Sequence, residues 1–466
     1  MNPGHPADNH ESRSDSPLEL WGGIECTINR VGDQYFDQIA LTGHDRRLGD
    51  LDQLAALGLR TMRYPVLWER VAPRGHRDPD WRSTDVALHR MYELEMEPIV
   101  GLVHHGSGPR YTSLIDPRFA SCLSEYAGRV AERYPWVEMW TPVNEPLTTA
   151  RFAGLYGLWY PHARNDYAFV RAFVNQCIGI RAAMDAVRVF NPAAKLIQTE
   201  DLGRVYSTPS LRYQAEFENH RRWLTFDLLA GRVDRNHVMW DYLISNGATA
   251  AELESFVDRP CPPDVIGINH YLTSERFLDE RVDRYPERMR GGNGRHAYVD
   301  VEAVRVLEDG LAGHLGVLRE AAERYHPPLA VTEVHLGCTS DEQMRWLDEA
   351  WQAALQMRSE GSSVVAVTVW ALLGCFGWDG LLTKKGGRYE CGAFDISAGE
   401  MRATQLAEMV RALAQTGHFE HPALDIAPWW RRSSRICYAS YRHGQNAPFV
   451  ADAADTCDGL GNTVGG

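Results

Sequence analysis

Eight short apolar runs, each followed by a stretch with helical spacing, recur along this chain, and few folds can absorb that alternation. The runs span residues 18–26, 59–67, 98–104, 137–143, 195–199, 264–271, 328–334 and 363–372. Their length and bounding turns predict strands. The helical stretches cover residues 47–57, 84–97, 118–134, 167–190, 211–230, 301–325, 342–359 and 401–416. In the third, Phe119, Leu123, Tyr126, Ala127, Val130 and Ala131 form the stripe of a helix that buries one face. Strands reading as continuous Val/Ile/Leu runs are buried on both faces, which fits a parallel sheet wrapped in helices. The repeat predicts an α/β fold, a single-domain (β/α)8 TIM barrel. A doubly wound open sheet yields the same alternation, but the phosphate fingerprint that usually marks it is missing. Gly459-Leu460-Gly461 has no strand before it and only five residues after it.

The expected organisation is a disordered tail over residues 1–17, the barrel over 18–417, and an extension over 418–466 that is partly disordered where it turns Gly/Ala/Asp-rich. The polar segment 277–298 after strand six is a candidate lid over the barrel mouth.

Composition narrows the partners. The 48 Lys and Arg against 62 Asp and Glu leave a net charge of −14, with no basic run longer than a pair such as Arg431-Arg432. A phosphate backbone is met by clustered cations, so no nucleic acid is expected. No apolar stretch approaches a membrane span, and the polar N-terminal segment is unlike a signal sequence. A cytoplasmic protein is expected. Nine cysteines without a CxxC spacing read as reduced thiols. His104-His105 and His44-Asp45 have no recognised ligand spacing, so no metal and no cofactor are expected.

In such a barrel the functional groups sit at the C-terminal ends of strands. Glu145, in Trp140-Thr141-Pro142-Val143-Asn144-Glu145-Pro146, closes strand four; Glu333, in Ala330-Val331-Thr332-Glu333-Val334-His335, closes strand seven. Carboxylates facing each other across a pocket are what glycoside hydrolysis needs, one holding a proton and the other ionised. Other strand ends carry Arg63, His104, Asn144, Asn269, Tyr271 and Trp370. An arginine and a tyrosine near a carboxylate keep it ionised and oriented, and an indole offers a sugar ring a flat apolar platform. Glu200-Asp201 ends strand five, where lining the pocket and sitting in a solvated loop are equally open, and Glu200 is kept out of the catalytic pair.

Taken in order, these segments resemble glycoside hydrolase family 1 over about residues 18–417, and more broadly the clan of retaining glycosidases with acid and nucleophile on strands four and seven. Residues 141–146 resemble its T-x-N-E-P motif with one extra residue, and Thr332-Glu333 the start of T-E-N-G. Residues 264–273 resemble D-F-I-G-I-N-Y-Y-T, and 63–68 resemble R-F-S-I-S-W. The resemblance implies Glu145 as general acid and base, Glu333 as nucleophile, and Asn144 as a partner of the sugar 2-hydroxyl. It implies Arg63 and Tyr271 as supports of Glu333, Asn269 among the substrate contacts, and His104 and Trp370 in the innermost sugar subsite. The expected reaction is retaining hydrolysis of a small β-glycoside or oligosaccharide through a covalent glycosyl-enzyme.

The chain also departs from the family. Asn29 stands where a glutamine is usual, and Leu373-Gly374-Cys375-Phe376-Gly377-Trp378 replaces L-D-N-F-E-W. The glutamate that grips the far hydroxyls of the sugar is therefore absent, with Glu25, Trp378 or Asp379 expected to contribute contacts instead. Residues 21–27 and Trp429-Trp430-Arg431-Arg432 are also similar to the glycosidase-like half of bacterial two-domain proteins whose second half resembles a dTDP-4-dehydrorhamnose reductase. This chain is expected to be a stand-alone version, with a link to deoxysugars or surface polysaccharide. Two alternatives stay open: a transglycosylase using the same carboxylates, and a non-catalytic carbohydrate-binding barrel.

Overall fold

The computed structural model describes residues 16–442 except residue 48. The Gly-Leu-Gly segment, most of the expected N-terminal tail and residues 443–466 lie outside the described residues.

Eight parallel strands close on themselves: β1 (Glu19–Gly23), β2 (Thr61–Pro65), β3 (Glu97–His104), β4 (Met139–Asn144), β5 (Lys195–Asp201), β6 (Val265–Asn269), β7 (Leu329–Val334) and β8 (Val364–Val369). Each pairs with its neighbour in sequence. β8 pairs with β1 through Glu19 opposite Ala366, so the sheet has no edge and the open-sheet alternative is excluded. Trp21, Ile99, Ile197 and Ala330, from the four odd-numbered strands, fill one interior layer together with Ala366. Alternate strands supplying one layer is how a barrel of this size packs solid.

Outside, the apolar stripes of the helices cover the strands. Helix Asp166–Phe190 is capped by Asn165, whose side chain accepts from the Ala168 N–H at 2.8 Å. It packs on helix Arg118–Arg133, where Ser124 donates to the Ala182 carbonyl at 2.9 Å. Among the described residues no helix is long and apolar enough to cross a membrane, and the eight cysteines there are free thiols.

Two expectations need correcting. The helix expected over residues 301–325 begins only at Gly313 and ends at Arg324. Residues Ala297–Glu302 are a strand instead, because Val299 and Val301 alternate with polar neighbours at the period of a sheet. The expected helix over 211–230 is two, Arg212–Arg221 and Leu224–Leu229. The candidate lid is folded. Arg276–Asp279, Arg290–Gly292 and Ala297–Glu302 join Val205–Ser207 in a four-stranded sheet, with Phe277, Tyr285, Met289, Val299 and Val301 in its own small core. Built from the loops after β5 and β6, it is a packed rim of the mouth.

Residues 418–442 fold back over the barrel. Trp430 is buried, lies edge-on to Trp346 and donates to Glu349 at 2.8 Å. Further on, Cys437 N–H and Tyr441 N–H donate to the carbonyls of Arg305 and Val306.

Candidate active site

The strand ends bring nine of the expected residues into one buried group. Arg63 organises it. From the middle of β2 its guanidinium donates to Glu333 Oε1 at 2.7 Å, to the Thr332 carbonyl at 2.8 Å and to Asn144 Oδ1 at 2.6 Å. One planar cation thus fixes the end of β7 and the residue before Glu145 together. Tyr271 donates to the other oxygen of Glu333.

A register irregularity explains how β7 delivers these groups. Val331 pairs with Ile268 and Glu333 with Asn269, so β7 spends one residue more than β6 over the same step. A regular strand points successive side chains to opposite faces; the bulge lets Thr332 and Glu333 both reach the group. Thr332 Oγ1 donates to Asn269 Oδ1 at 2.7 Å, and Asn269 Nδ2 donates to Glu145 Oε1 at 2.5 Å. From the neighbouring β5, Thr199 Oγ1 donates to Asn144 Oδ1 at 2.7 Å. The Asn144 amide nitrogen faces His104 and His105 at 3.2 and 3.4 Å.

Glu145 itself has φ +45°, a left-handed backbone that a side chain other than glycine adopts at an energetic cost. It starts the short helix Pro146–Ala150. Glu200, completely buried, accepts from the Leu147 and Thr148 N–H groups at 2.9 and 3.1 Å and from Thr225 Oγ1 at 2.7 Å. It therefore neither lines a solvated loop nor lies free: it satisfies the start of the helix that holds Glu145. His105, Leu381 and Leu382, also beside the mouth, are left-handed too, at +54°, +49° and +54°.

The two carboxylates have opposite surroundings. Burial, followed by the nearby charges of Glu333, Asp201 and Glu200, pushes the Glu145 carboxyl well above the ordinary carboxylate range, against the smaller opposing effect of the Asn269 hydrogen bond. His105 Nε2 lies 3.8 Å from Glu145 Oε2. Burial and then the charge of Arg63 drop the His105 imidazole to about 3, so that contact is not an ion pair. Burial also raises Glu333, but Arg63 and the Tyr271 hydroxyl pull it back. The first proton therefore belongs on Glu145 and the negative charge on Glu333.

Trp370, just after β8, is nearly parallel to His104, with 5.3 Å between ring centres, and its indole donates to Glu25 Oε2 at 3.2 Å. The Arg63 guanidinium lies 4.7 Å from the indole centre. At Gly23 any Cβ would stand 2.4 Å from that ring, so only glycine lets the indole lie against β1. Asn29 donates to the Leu382 carbonyl at 3.1 Å, while its own carbonyl oxygen is buried without a protein partner. Trp378 packs edge-on against His105 and Trp159, its N–H likewise unpartnered. Asp379 stands apart: it is exposed and accepts from the Arg388 N–H at 3.3 Å. Sequence reasoning did not pick out Thr199, Thr332 or His105 as members of this group. Their only signal was position, at or beside the ends of β3, β5 and β7.

A closed parallel barrel with buried carboxylates at the ends of β4 and β7 has the architecture of a glycosidase. The sequence matches the Glycosyl hydrolase family 1 profile over residues 21–389, and the chain belongs to that family. It is a glycoside hydrolase of β-glucosidase-like fold. It is 23% identical to beta-glucosidase 47 of Arabidopsis thaliana over 455 residues, 88% of this chain and 82% of that protein. It is 23% identical to a 6-phospho-beta-glucosidase of Dickeya chrysanthemi over 76% of this chain and 80% of that one. The family 1 β-glucosidase of Thermotoga maritima superposes with a TM-score of 0.70 at 17% identity, covering 87% of this chain and 99% of its own. The same Thermotoga enzyme in complex with deoxynojirimycin superposes with a TM-score of 0.68.

Proposed function

We propose that this enzyme hydrolyses a small β-glycoside with net retention of configuration. Glu333 attacks the anomeric carbon as Glu145 protonates the departing oxygen, leaving the sugar esterified to Glu333. Glu145, now ionised, takes a proton from water as the water attacks the same carbon, and Glu333 leaves. The observation that carries this reading is the asymmetry of the two carboxyls. Arg63 and Tyr271 hold both oxygens of Glu333, whereas among the described residues no charged cation pairs with Glu145. Held by the Thr332 carbonyl and Asn144 as well as by Glu333, Arg63 orients the nucleophile, and its charge moderates the basicity of Glu333.

The unpartnered Asn29 oxygen and Trp378 N–H supply buried polarity that sugar hydroxyls satisfy. With Gly377 in place of a glutamate among those contacts, a glycone with few far hydroxyls, such as a deoxysugar, is favoured.

The test is a panel of aryl β-glycosides that includes deoxyglycosides. Glu333→Gln should reduce release of the aryl group by on the order of 10⁴-fold or more. Glu145→Gln should lose about 10²- to 10⁴-fold on poor leaving groups, keep its reaction with strongly activated ones, and be rescued by azide, which needs no base. Turnover that survives Glu333→Gln, or an inverted anomer in the first product seen by NMR, sinks the reading. Added acceptor sugars distinguish hydrolysis from transfer.

A further inference from the structure

Two residues beyond Glu333, the chain places a second group of chemically active side chains. His335 Nε2 lies 3.0 Å from Glu390 Oε2, and Cys375 Sγ lies 3.7 Å from the same nitrogen and 3.9 Å from the same oxygen. Among the described residues this is the one compact group of three or more His, Cys and acidic side chains whose donor atoms all converge.

The three donors come from separate places but are held rigidly. Cys375 and Glu390 are directly opposed in a two-stranded ladder. Buried Gln38 exchanges both hydrogen bonds with the backbone of Phe376, at 2.7 and 3.0 Å. Buried Gln343 donates to the Leu336 carbonyl, next to His335, at 3.0 Å, and to the Cys391 carbonyl, next to Glu390, at 2.6 Å. At Gly337 a Cβ would stand 2.3 Å from Glu390 Oε2, so this glycine gives the carboxylate room to reach the imidazole.

We propose that His335, Cys375 and Glu390 form a binding site for zinc or a similar divalent transition metal, with a fourth position left to water. A tetrahedral zinc about 2.3 Å from sulfur and about 2.0–2.1 Å from nitrogen and oxygen separates its donors by roughly 3.3–3.6 Å. The distances of 3.0, 3.7 and 3.9 Å each differ from that by about 0.4 Å or less. The mixture of thiolate, imidazole and carboxylate suits zinc or cobalt; magnesium and calcium take oxygen donors. The Cys375 side chain is buried, while His335 and Glu390 keep 9% and 16% of theirs open to solvent, so water can complete the sphere from their side. The entering cation displaces the Cys375 thiol proton to solvent, while His335 offers it the bare Nε2 of a neutral imidazole and keeps its proton on Nδ1. Bound there, it joins the loop after β7, which follows the nucleophile, to the segment after β8 that carries Trp378.

The full chain, stripped with a chelator and titrated with Co²⁺, should take up one cation. It should show a thiolate-to-cobalt charge-transfer band together with the visible bands of a four-coordinate ion. Zn²⁺ should displace the cobalt and raise Tm. Cys375→Ser should abolish the charge-transfer band, and Glu390→Gln should weaken binding by about 10²-fold, with both metal-free variants melting close to the metal-free parent. If Cys375→Ser fails to fold, the Glu390→Gln affinity decides. No stoichiometric cation, a spectrum without the thiolate band, or a band and affinity unchanged by these substitutions overturns the site and leaves a buried hydrogen-bonded trio.

Discussion

The Tyr271 hydroxyl and the Arg63 guanidinium do their work on Glu333 by opposing its burial. Removing the tyrosine hydroxyl leaves the desolvation and takes away a hydrogen bond to the charged form, so the Glu333 carboxyl rises. In the kcat/KM profile the acid limb reports the group that must be ionised. Tyr271→Phe should therefore move the acid limb to higher pH and leave the alkaline limb, governed by Glu145, in place; a profile that keeps its acid limb would refute this role. Burial and the charge of Glu333 keep the Tyr271 phenol itself well above its ordinary range, so it remains a donor throughout. Glu145, Glu333, Arg63, Asn144, Asn269 and Tyr271 were legible in the sequence because each closes or adjoins an apolar run and sits in a recognisable motif. Thr199 and Thr332 were not, since a threonine at a strand end says nothing until the register decides which face it takes. His335, Cys375 and Glu390 were invisible for a related reason. They stand 40 and 15 residues apart, without any ligand spacing to betray them, and meet only through the loops after β7 and β8.

Among the elements, the short helix Pro146–Ala150 depends most visibly on a neighbour. Its first N–H groups end on Glu200, whose carboxyl is pushed up to about 7, chiefly by burial and against the hydrogen bonds that favour its charge. A folded-state value above the usual 4.5 means the folded protein binds that proton more tightly than the unfolded chain does. Its stabilisation is complete below about pH 4.5 and is lost as pH rises through about 7, a change of about 3 kcal/mol. Urea unfolding across that window should show wild type losing about that much more stability than Glu200→Gln does; parallel curves would argue against it. The eight strands and most of the helices were readable because burial on two faces, or along one stripe, leaves a clear period. The stretch 297–302 was missed because its start was read as the end of the lid segment and its last two residues as the entry to a long helix, although its valines alternate. Such short strands carry too few residues for the periods of 2 and 3.6 to separate.

On the scale of the whole molecule, closure of β1 on β8 makes stability a shared property, and the segment 418–442 adds a clasp over the outside. Trp430 is its anchor, buried against Trp346 and bonded to Glu349. Trp430→Ala should reduce the unfolding free energy by about 3–5 kcal/mol in a denaturant melt; a loss below about 1 kcal/mol would show that the segment merely rests on the barrel. The left-handed residues at the mouth have a different consequence, one for redesign. At position 145 the backbone favours glycine or asparagine, but the chemistry demands a carboxylic acid. At 381 and 382, whose carbonyls accept from Trp159 and Asn29, freer residues would slacken the loop those side chains hold. Conformational comfort and function thus pull against each other at these positions. New specificities are more accessible from the side chains that line the mouth than from the backbone that shapes it.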